Sequence, residues 1–352
     1  MLKSLDIHGY RCFERLTVPD LARVNLFVGR NNAGKTALLD AVDLLATRTD
    51  PYALWRASLR RGEVVLRPAQ QDSGNWHEAE LKLGLLRYGR GEGPATSLRV
   101  AGMLAGERVS IAIGTTEHNA SRVLWVESEV GSRAEYILRG DVLYEQLPLW
   151  VDPNRAPKQA GSARDVASLC FLGTVYDLGE MLAGAWGDIA LSEGEEQVIQ
   201  ALRVIEPDVE RVAYLPAEGV GRGHGFFVKL RGVRDRVPMG SLGDGMRRLL
   251  ALAMTLVQSR GGVLLVDEID TGLHYSVMPA LWRLVLETAR RLDVQVFATT
   301  HSRDCLEGIA ALPPDVLGDD LAVYRLERGN PVAVRYAGAE MAIAAEAALE
   351  VR

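Results

Sequence analysis

One glycine-rich segment constrains the fold of this chain more than any other. Residues Gly29 to Thr36 satisfy the pattern G-x-x-x-x-G-K-T. The apolar run Val24 to Val28 precedes the segment, and apolar residues recur at helical spacing from Ala37 to Leu45. The order strand, glycine loop, helix is typical of a phosphate-binding loop, because backbone N–H groups converge on phosphate oxygens at the amino terminus of the helix.

This loop predicts a nucleotide site. Lys35 is expected at the β and γ phosphates of ATP, and Thr36 is expected on a magnesium ion. The predicted nucleotide-binding residues are Gly29, Arg30, Asn31, Asn32, Ala33, Gly34, Lys35 and Thr36.

Two acidic residues follow an apolar strand later in the chain. Val263 to Val266 are all apolar, and Asp267 and Glu268 come directly after them. We predict that Asp267 holds the magnesium ion that Thr36 also contacts, and that Glu268 polarises the water that attacks the γ phosphate. A solvated acidic turn is the alternative.

A histidine occupies the equivalent position after a second apolar strand. His301 follows the run Val294 to Thr300, and ligands of open parallel sheets bind at the carboxyl ends of the strands. We expect His301 to sense the γ phosphate and to be catalytic together with Glu268 and Lys35. A purely structural histidine is the alternative.

Small residues precede a further helix. The segment Gly240 to Gly245 comes before a helical pattern that begins at Met246, and small residues at a helix start can form a second anion site. Taken alone, the same residues fit a simple turn and cap equally well. Ser241 is of interest because it lies shortly before Asp267.

In this order, the four elements resemble the ATP-binding-cassette (ABC) type ATPase heads of RecF, of the chromosome-maintenance (SMC) proteins and of the overcoming-lysogenization-defect (OLD) family. The resemblance implies an α/β P-loop NTPase with a central, mainly parallel sheet, an antiparallel β lobe and a helical lid that carries a signature motif. By this resemblance Gly29 to Thr36 is the Walker A loop, Asp267 and Glu268 are the Walker B acids, Asp270 is the D-loop acid and His301 is the switch histidine.

The resemblance also assigns the signature. Ser241, Gly243 and Asp244 would complete the nucleotide site of an opposing subunit, so that ATP joins a head-to-tail homodimer. The segment reads Gly-Ser-Leu-Gly-Asp where a transporter has Leu-Ser-Gly-Gly-Gln. The glutamine of the Q-loop stays unassigned between Gln146 and Gln159.

Standalone OLD-like ATPases, often described as AAA-type, look most similar. They share sequence motifs like those at residues 243–248 and 267–274. The resemblance spans roughly residues 1–50 and 190–352. OLD proteins proper carry a Toprim nuclease, but too few residues follow His301 for the roughly one hundred that such a domain needs. We therefore expect no Toprim domain in this chain.

The remaining patterns suggest a single ATPase domain over residues 1–352 with three parts. Residues 1–140 form an amino-terminal lobe, whose alternating runs from about residue 62 predict an antiparallel sheet. Residues 141–240 form a helical lid, which includes a capping box at Ser192 to Glu195. Residues 241–352 carry the signature, the Walker B acids and the switch histidine.

Composition limits the partners. With 40 basic and 46 acidic residues the formal charge is −6, so any contact with DNA must be local. Contact with DNA phosphates is one interpretation of the arginines beside Trp55, although a solvated helix face fits them better. They are Arg56, Arg60, Arg61 and Arg67.

The cysteines and the apolar runs indicate the compartment. Three cysteines without a C-x-x-C pair are expected to be buried free thiols. No leader pattern and no run of about 18 apolar residues is present, which predicts a cytoplasmic protein without membrane contact.

Together these observations predict a magnesium-dependent ATPase whose ATP-driven homodimerisation acts as a switch in DNA repair or in defence against phage or plasmids. It would act on DNA or gate an effector. The alternative is a nucleotide-gated scaffold that regulates a separately encoded nuclease or other effector. A transporter ATPase fits less well, because no membrane-coupling helix is evident.

Overall fold

The chain opens with an antiparallel hairpin and continues through three sheets. The computed structural model describes residues 1–47, 52–68, 76–90, 97–118, 121–128, 133–139, 142–148, 155–156, 168–174, 180–215, 225–338 and 340–341. The strands are β1 (Leu2–Tyr10), β2 (Phe13–Val18), β3 (Val24–Val28), β4 (Val64–Pro68), β5 (Trp76–Lys82), β6 (Leu98–Leu104), β7 (Glu107–His118), β8 (Ser121–Ser128), β9 (Arg133–Arg139), β10 (Val142–Pro148), β11 (Arg155–Ala156), β12 (Leu169–Leu172), β13 (Val209–Leu215), β14 (Gly225–Leu230), β15 (Val237–Pro238), β16 (Val263–Val266), β17 (Gln295–Thr299), β18 (Leu321–Arg325) and β19 (Val334–Ala337).

Eight α-helices connect these strands in the described residues. They are α1 (Lys35–Ala46), α2 (Ala53–Arg60), α3 (Glu180–Ile189), α4 (Glu193–Leu202), α5 (Asp244–Gln258), α6 (Met278–Leu292), α7 (Arg303–Ala310) and α8 (Pro314–Leu317). In this part of the chain, no helix has the length and apolar character needed to cross a membrane.

A nine-stranded sheet contains the alternating runs. Its order is β2-β1-β6-β7-β8-β9-β10-β5-β4, and its neighbouring strands pair antiparallel. In β6, buried Leu98 and Val100 flank exposed Arg99, which is the period-two pattern of a sheet with one face in the core. The predicted antiparallel sheet is confirmed, and it also includes β1, β2 and β10.

A seven-stranded sheet carries the motif strands. Its order is β11-β12-β16-β17-β3-β18-β19. β16 and β17 run parallel, with Leu265 opposite Phe297, and α6 lies between them in the chain. β3 and β16 have the predicted bounds, and every residue of both strands is buried. The expected parallel crossover is confirmed for this pair.

The chain divides into two compact units. Unit 1 comprises Met1–Ala22, Phe27–Leu169 and Tyr324–Arg335, and it contains the nine-stranded sheet, α1 and α2. Unit 2 comprises Arg23–Leu26, Cys170–Val323 and Tyr336–Arg352. It contains the helices from α3 to α8 and a three-stranded sheet of order β13-β14-β15. The three-part division at residues 140 and 240 stays a prediction.

Residues 141–240 are less helical than expected. They contain α3 and α4, but also the strands from β10 to β15. Val212 pairs with Val228 across β13 and β14, whose valine and aromatic residues favour a sheet. For the glycine-rich segment Gly219 to Gly225, the sequence favours a hairpin connection over a phosphate site. The antiparallel pairing of Leu215 with Gly225 confirms this, although residues 216–224 lie outside the described residues.

The residues of the predicted capping box begin α4 with Ser192 at the N-cap, although their hydrogen bonds differ from the usual pair. The Ser192 hydroxyl accepts a hydrogen bond from the Gly194 N–H at 3.1 Å. The Glu195 carboxylate accepts one from the Leu191 N–H at 2.7 Å. Two amino-terminal donors are thereby satisfied by side chains, and the helix starts where the sequence indicates.

Two of the arginines beside Trp55, Arg56 and Arg60, contradict both interpretations offered for them. Arg56 is 1% exposed, and its Nη2 lies 2.9 Å from Asp43 Oδ1. Arg60 bonds Asp43 at 2.7 Å and Asp40 at 3.1 Å, and Arg61 Nε bonds Asp40 at 2.6 Å. Arg56 and Arg60 therefore join α2 to α1 through a buried ion cluster and face neither DNA nor solvent, whereas Arg61, just after α2, is exposed and pairs with Asp40 from the rim of the cluster. Arg67 differs, because its side chain is 62% exposed and pairs with Glu80.

The cysteines are all free, as predicted, but they are not all buried. Cys170 and Cys305 are buried, whereas Cys12 is exposed. Cys12 lies in the turn between β1 and β2, where Arg11 adopts a φ of 53° and reverses the chain. A side chain at the tip of this turn lies outside the core.

We predict that Asp43→Asn lowers the free energy of unfolding by about 3–5 kcal/mol at pH 7, because it leaves buried arginines without a countercharge. Burial opposes ionisation of Asp43, but the charges of Arg60 and Arg56 lower its pKa below 3.8. A lowered pKa stabilises the fold at every pH above the unfolded value and loses this effect as the pH falls through the folded value. The difference between wild type and variant should therefore shrink below about pH 4 in denaturant titrations.

Asp293→Asn is the matched control. Asp293 also pairs with an arginine, Arg23, at 2.8 Å, but its side chain is 75% exposed. Its φ of 53° suits asparagine. A change within about 1 kcal/mol is expected there. Equal losses for the two variants would contradict the assigned role of the buried cluster.

Candidate functional site

The glycine loop of unit 1 has a backbone that requires glycine at both ends. Gly29 has a φ of 150°, and a Cβ there would lie 2.5 Å from the Leu326 carbonyl oxygen. Gly34 has a φ of 100°, and a Cβ there would lie 2.4 Å from the Phe13 ring and 2.7 Å from Cys12 Sγ. The loop therefore packs closely against β2 and the residue after β18, as a tight phosphate-binding turn requires.

Lys35 is the buried cation of this loop. It is 7% exposed, and its Nζ donates to the carbonyl oxygens of Gly29 at 2.9 Å and Arg30 at 3.3 Å. Gly34 stands at the N-cap of α1 without a side-chain cap, and the first turn contains no acidic residue. The start of α1 thus combines N–H donors, the positive end of the helix and an ammonium group, which is the chemistry of a phosphate site.

The Walker B acids of unit 2 follow β16 and are held by the next strand. The Thr299 hydroxyl donates to Asp267 Oδ1 at 2.6 Å and accepts from the Glu268 N–H at 2.9 Å. Glu268 has a φ of 50°, which is uncommon for a residue other than glycine. Both acids are partly exposed, so their carboxylates are accessible at the edge of the sheet.

His301 and Glu268 lie together, although they are far apart in the sequence. His301 Nδ1 is 2.5 Å from Glu268 Oε2, and the side chains are 60% and 19% exposed. A carboxylate and an imidazole at this distance can exchange a proton, and each orients the other. Both partners of this contact were predicted from the sequence.

Asp270 bonds within its own subunit. The Thr300 hydroxyl donates to Asp270 Oδ1 at 2.6 Å and accepts from the Ser302 N–H at 3.0 Å. Burial and the charge of Asp270 raise the pKa of the nearby Cys305 thiol well above 9.0. Cys305 therefore stays neutral and adds no charge to the site.

The signature residues are exposed at the start of α5. A short 3-10 helix, Met239–Leu242, precedes Gly243, which has a φ of 90° and stands at the N-cap of α5. Ser241 is exposed, and the side chain of Asp244 is 86% exposed and 3.6 Å from Arg247. This arrangement presents the positive end of a 15-residue helix to solvent.

The segment after the D-loop acid packs next to the signature. A Cβ at Gly245 would lie 3.2 Å from the Gly272 carbonyl oxygen, so the two backbones are close. For His274 and Tyr275, which follow this segment, the sequence favours packing beside the D-loop over a catalytic role. Their rings lie tilted against each other with centroids 4.2 Å apart, and Tyr275 is 63% exposed.

Arg248 is a site residue to which sequence reasoning assigned no role. It is 1% exposed, its Nη2 donates to the carbonyl oxygens of Asp267 and Glu268 at 2.9 Å each, and its Nη1 donates to that of Gly173. The sequence feature that could have indicated this role is an arginine among the apolar residues of α5. The apolar face of a helix normally packs against the core, where an unpaired arginine is rare.

Asp267 has the donor chemistry for Mg²⁺. No group of three or more His, Cys, Asp or Glu side chains within the described ranges could hold a metal ion by itself. Mg²⁺ typically takes one or two carboxylates together with phosphate oxygens and waters, so a partly exposed Asp267 fits this ion. The glutamine candidates for the Q-loop do not help here, since the side chain of Gln146 and all of Gln159 lie outside the described residues.

The motifs and two matching family models indicate a P-loop ATPase, and its fold is similar to that of SMC heads. Residues 187–304 match a family model described as "AAA domain, putative AbiEii toxin, Type IV TA system". Residues 1–82 match an "AAA ATPase domain". The chain is an ATP-hydrolysing enzyme, as predicted.

Similar proteins agree with this class. A Helicobacter pylori protein named "ATP/GTP phosphatase" is 20% identical over 338 residues, with 87% of each chain covered. An SMC head bound to the C-terminal winged-helix domain of ScpA has a TM-score of 0.54 at 14% identity and covers 97% of this chain and 99% of that one. An SMC head with an extended coiled coil, bound to the C-terminal domain of ScpA derived from Pyrococcus furiosus, has a TM-score of 0.52 at 12% identity, with 99% of each chain covered. These two structures confirm the predicted fold class.

We predict that Gly29→Ala abolishes nucleotide binding and lowers the melting temperature. The new methyl group would overlap a backbone carbonyl that cannot rotate away, and overpacking of this kind costs roughly 1–3 kcal/mol. Titration with a fluorescent ATP analogue and a thermal melt measure the two effects. Gly62→Ala is the control, because Gly62 also has a positive φ, 65°, but a Cβ there meets nothing within 4 Å. ATP-analogue binding by Gly29→Ala as tight as by Gly62→Ala would contradict the geometry given for the loop.

Proposed function

We propose that this ATPase is a switch in which two copies pair with ATP between them and separate after hydrolysis. The observation that carries the proposal is the double role of α5. Ser241 and Gly243 are exposed just before its first residue, and five residues after Gly243 the side chain of Arg248 bonds the backbone of both Walker B acids. A phosphate bound at the start of this helix would therefore be coupled to the catalytic acids through Arg248.

The proposed chemistry uses the side chains that were predicted from the sequence. Lys35 and the loop backbone bind the β and γ phosphates, and Thr36 and Asp267 hold Mg²⁺, which neutralises phosphate charge when bound. Glu268 accepts a proton from the attacking water. His301, 2.5 Å from Glu268, holds that carboxylate in place and senses the γ phosphate. Ser241, Gly243 and Asp244 act on the nucleotide of the opposing copy, and Asp270 is the D-loop acid.

We place the switch in defence against phage or plasmids rather than in DNA repair. The family model that covers the signature and Walker B region is described with a Type IV toxin–antitoxin system, which supports defence. The free cysteines fit a reducing, cytoplasmic setting.

A nucleotide-gated scaffold is the second candidate. The burial of Arg56 and Arg60 removes the main residues expected to face DNA. Two proteins with the same fold were crystallised with a bound domain of another protein, which supports a protein partner for this chain. In this variant the ATPase cycle times the release of a separately encoded nuclease or other effector.

Phosphate release by wild type and Glu268→Gln, each with and without linear duplex DNA, separates the two candidates. We expect turnover by wild type and a loss of about 100-fold or more in the variant, because the water loses its proton acceptor. The assay is run at low salt and at about 0.15 M salt, since screening weakens contacts with phosphates. Stimulation by DNA at both salt levels favours direct action on DNA, whereas indifference favours the scaffold. Wild-type turnover by Glu268→Gln would contradict the assigned base.

Light scattering tests the pairing. Glu268→Gln should bind ATP without hydrolysing it, so its mass should double when ATP is added. A second substitution, Ser241→Arg, should return it to the monomer, because the large arginine side chain would block the contact between the signature and the nucleotide of the opposing copy. Ser97→Arg is the control, since Ser97 is also exposed but lies outside every motif. A monomer in all samples would argue against homodimeric closure.

A further inference from the structure

We infer that Thr299 is a positioning residue for both Walker B acids, and that its hydroxyl rather than its size is what the reaction requires. No motif identified in the sequence includes a role for this residue. The inference rests on the proposed function of Asp267 and Glu268. It concerns how these two acids keep their geometry before ATP binds.

The hydroxyl of Thr299 forms one hydrogen bond with each of the two acids. It donates its only proton to Asp267 Oδ1 at 2.6 Å and accepts the Glu268 N–H at 2.9 Å. Thr299 is 0% exposed, so water does not compete for either bond. One side chain therefore orients the carboxylate proposed to hold Mg²⁺ and the backbone of the proposed base.

The backbone of Glu268 needs such support. Its φ of 50° lies in the left-handed region, where the Cβ of a residue with a side chain comes too close to the following carbonyl oxygen. Unusual backbone conformations persist only where neighbouring contacts fix them. Here Thr299 bonds the N–H of Glu268, Arg248 bonds its carbonyl oxygen, and the carbonyl of Thr299 accepts from the Ile269 N–H at 3.0 Å.

The surroundings explain why a hydroxyl at this position is informative. Every residue of β17 is buried, and the two residues before Thr299 in this strand are Phe297 and Ala298. Valine has nearly the shape of threonine and is favoured in such a strand. A strand that needed only packing here would be served equally well by valine, so the polar atom points to the acids that it contacts.

The consequence for the reaction is a fixed direction for the proton acceptor. If Glu268 relaxes from the left-handed conformation, its carboxylate moves relative to His301, which lies 2.5 Å away. Residues that orient a metal ligand typically contribute 10–100-fold to metal affinity or activity. Loss of the Thr299 hydroxyl should therefore reduce turnover by about this factor without removing Lys35 or the glycine loop.

The experiment compares Thr299→Val, Thr299→Ser and wild type by two measurements. The first is kcat and KM for ATP at saturating Mg²⁺. The second is hydrogen–deuterium exchange of the peptide containing Glu268 in the nucleotide-free protein, which reports the N–H bond to Thr299 without any turnover. Thr299→Val should lower kcat by about 10–100-fold with little change in KM, and exchange at Glu268 should become faster. Thr299→Ser keeps the hydroxyl and should restore both values to near wild type.

Thr255→Val is the matched control. Thr255 is also buried in unit 2, but its hydroxyl donates only to carbonyls of its own helix, Ala251 at 2.8 Å and Leu252 at 3.1 Å. This variant should turn over like wild type. If Thr299→Val does not fold, Thr299→Ala removes the hydroxyl without placing a methyl group against Asp267, and the same losses are expected.

The outcomes separate this inference from the proposed function. Wild-type turnover and unchanged exchange in Thr299→Val would overturn the role of Thr299, even if Glu268→Gln is inactive. Turnover by Glu268→Gln would instead overturn the proposed base. In that case faster exchange in Thr299→Val would still support the hydrogen bond to Glu268, whereas unchanged exchange would overturn that as well.

Discussion

Backbone carbonyls at the ends of buried strands must find hydrogen-bond donors, and in unit 2 one guanidinium group supplies three of them. Arg248 bonds the carbonyl oxygens of Gly173, Asp267 and Glu268, which follow β12 and β16. A buried charge is tolerated only when it is well solvated by polar groups, and these carbonyls provide that environment. These three bonds tie α5 to the ends of β12 and β16.

Unit 1 solves a similar problem with paired charges. Helix α1 begins at the glycine loop and carries Asp40 and Asp43, one turn apart, on a face that α2 covers. Arginines from α2 neutralise both acids, so the helix that starts the phosphate site is held by ion pairs as well as by its apolar side. Such a cluster is costly to desolvate, but it permits few alternative packings of α2.

The sequence was sufficient to predict the local features. The glycine loop, β3, β16 and the capping box at Ser192 depend on contacts between near neighbours in the chain, and the structure has them where they were expected. Contacts between distant residues were harder to predict. The burial of Arg56 could have been anticipated only from two acids within the apolar helix α1, and the role of Thr299 depends on a neighbouring strand. The prediction that residues 141–240 are helical was wrong in part, because this region also contains the paired strands β13 and β14. No motif in the sequence indicates their pairing.

The exposure of Cys12 has a practical consequence. The chain contains three cysteines, and the other two are buried. A maleimide dye added to the unaltered protein would therefore attach at Cys12, whose sulfur lies beside Gly34 at the start of α1. The emission of that dye would follow the surroundings of the glycine loop through each stage of the catalytic cycle, without any engineered residue in the chain.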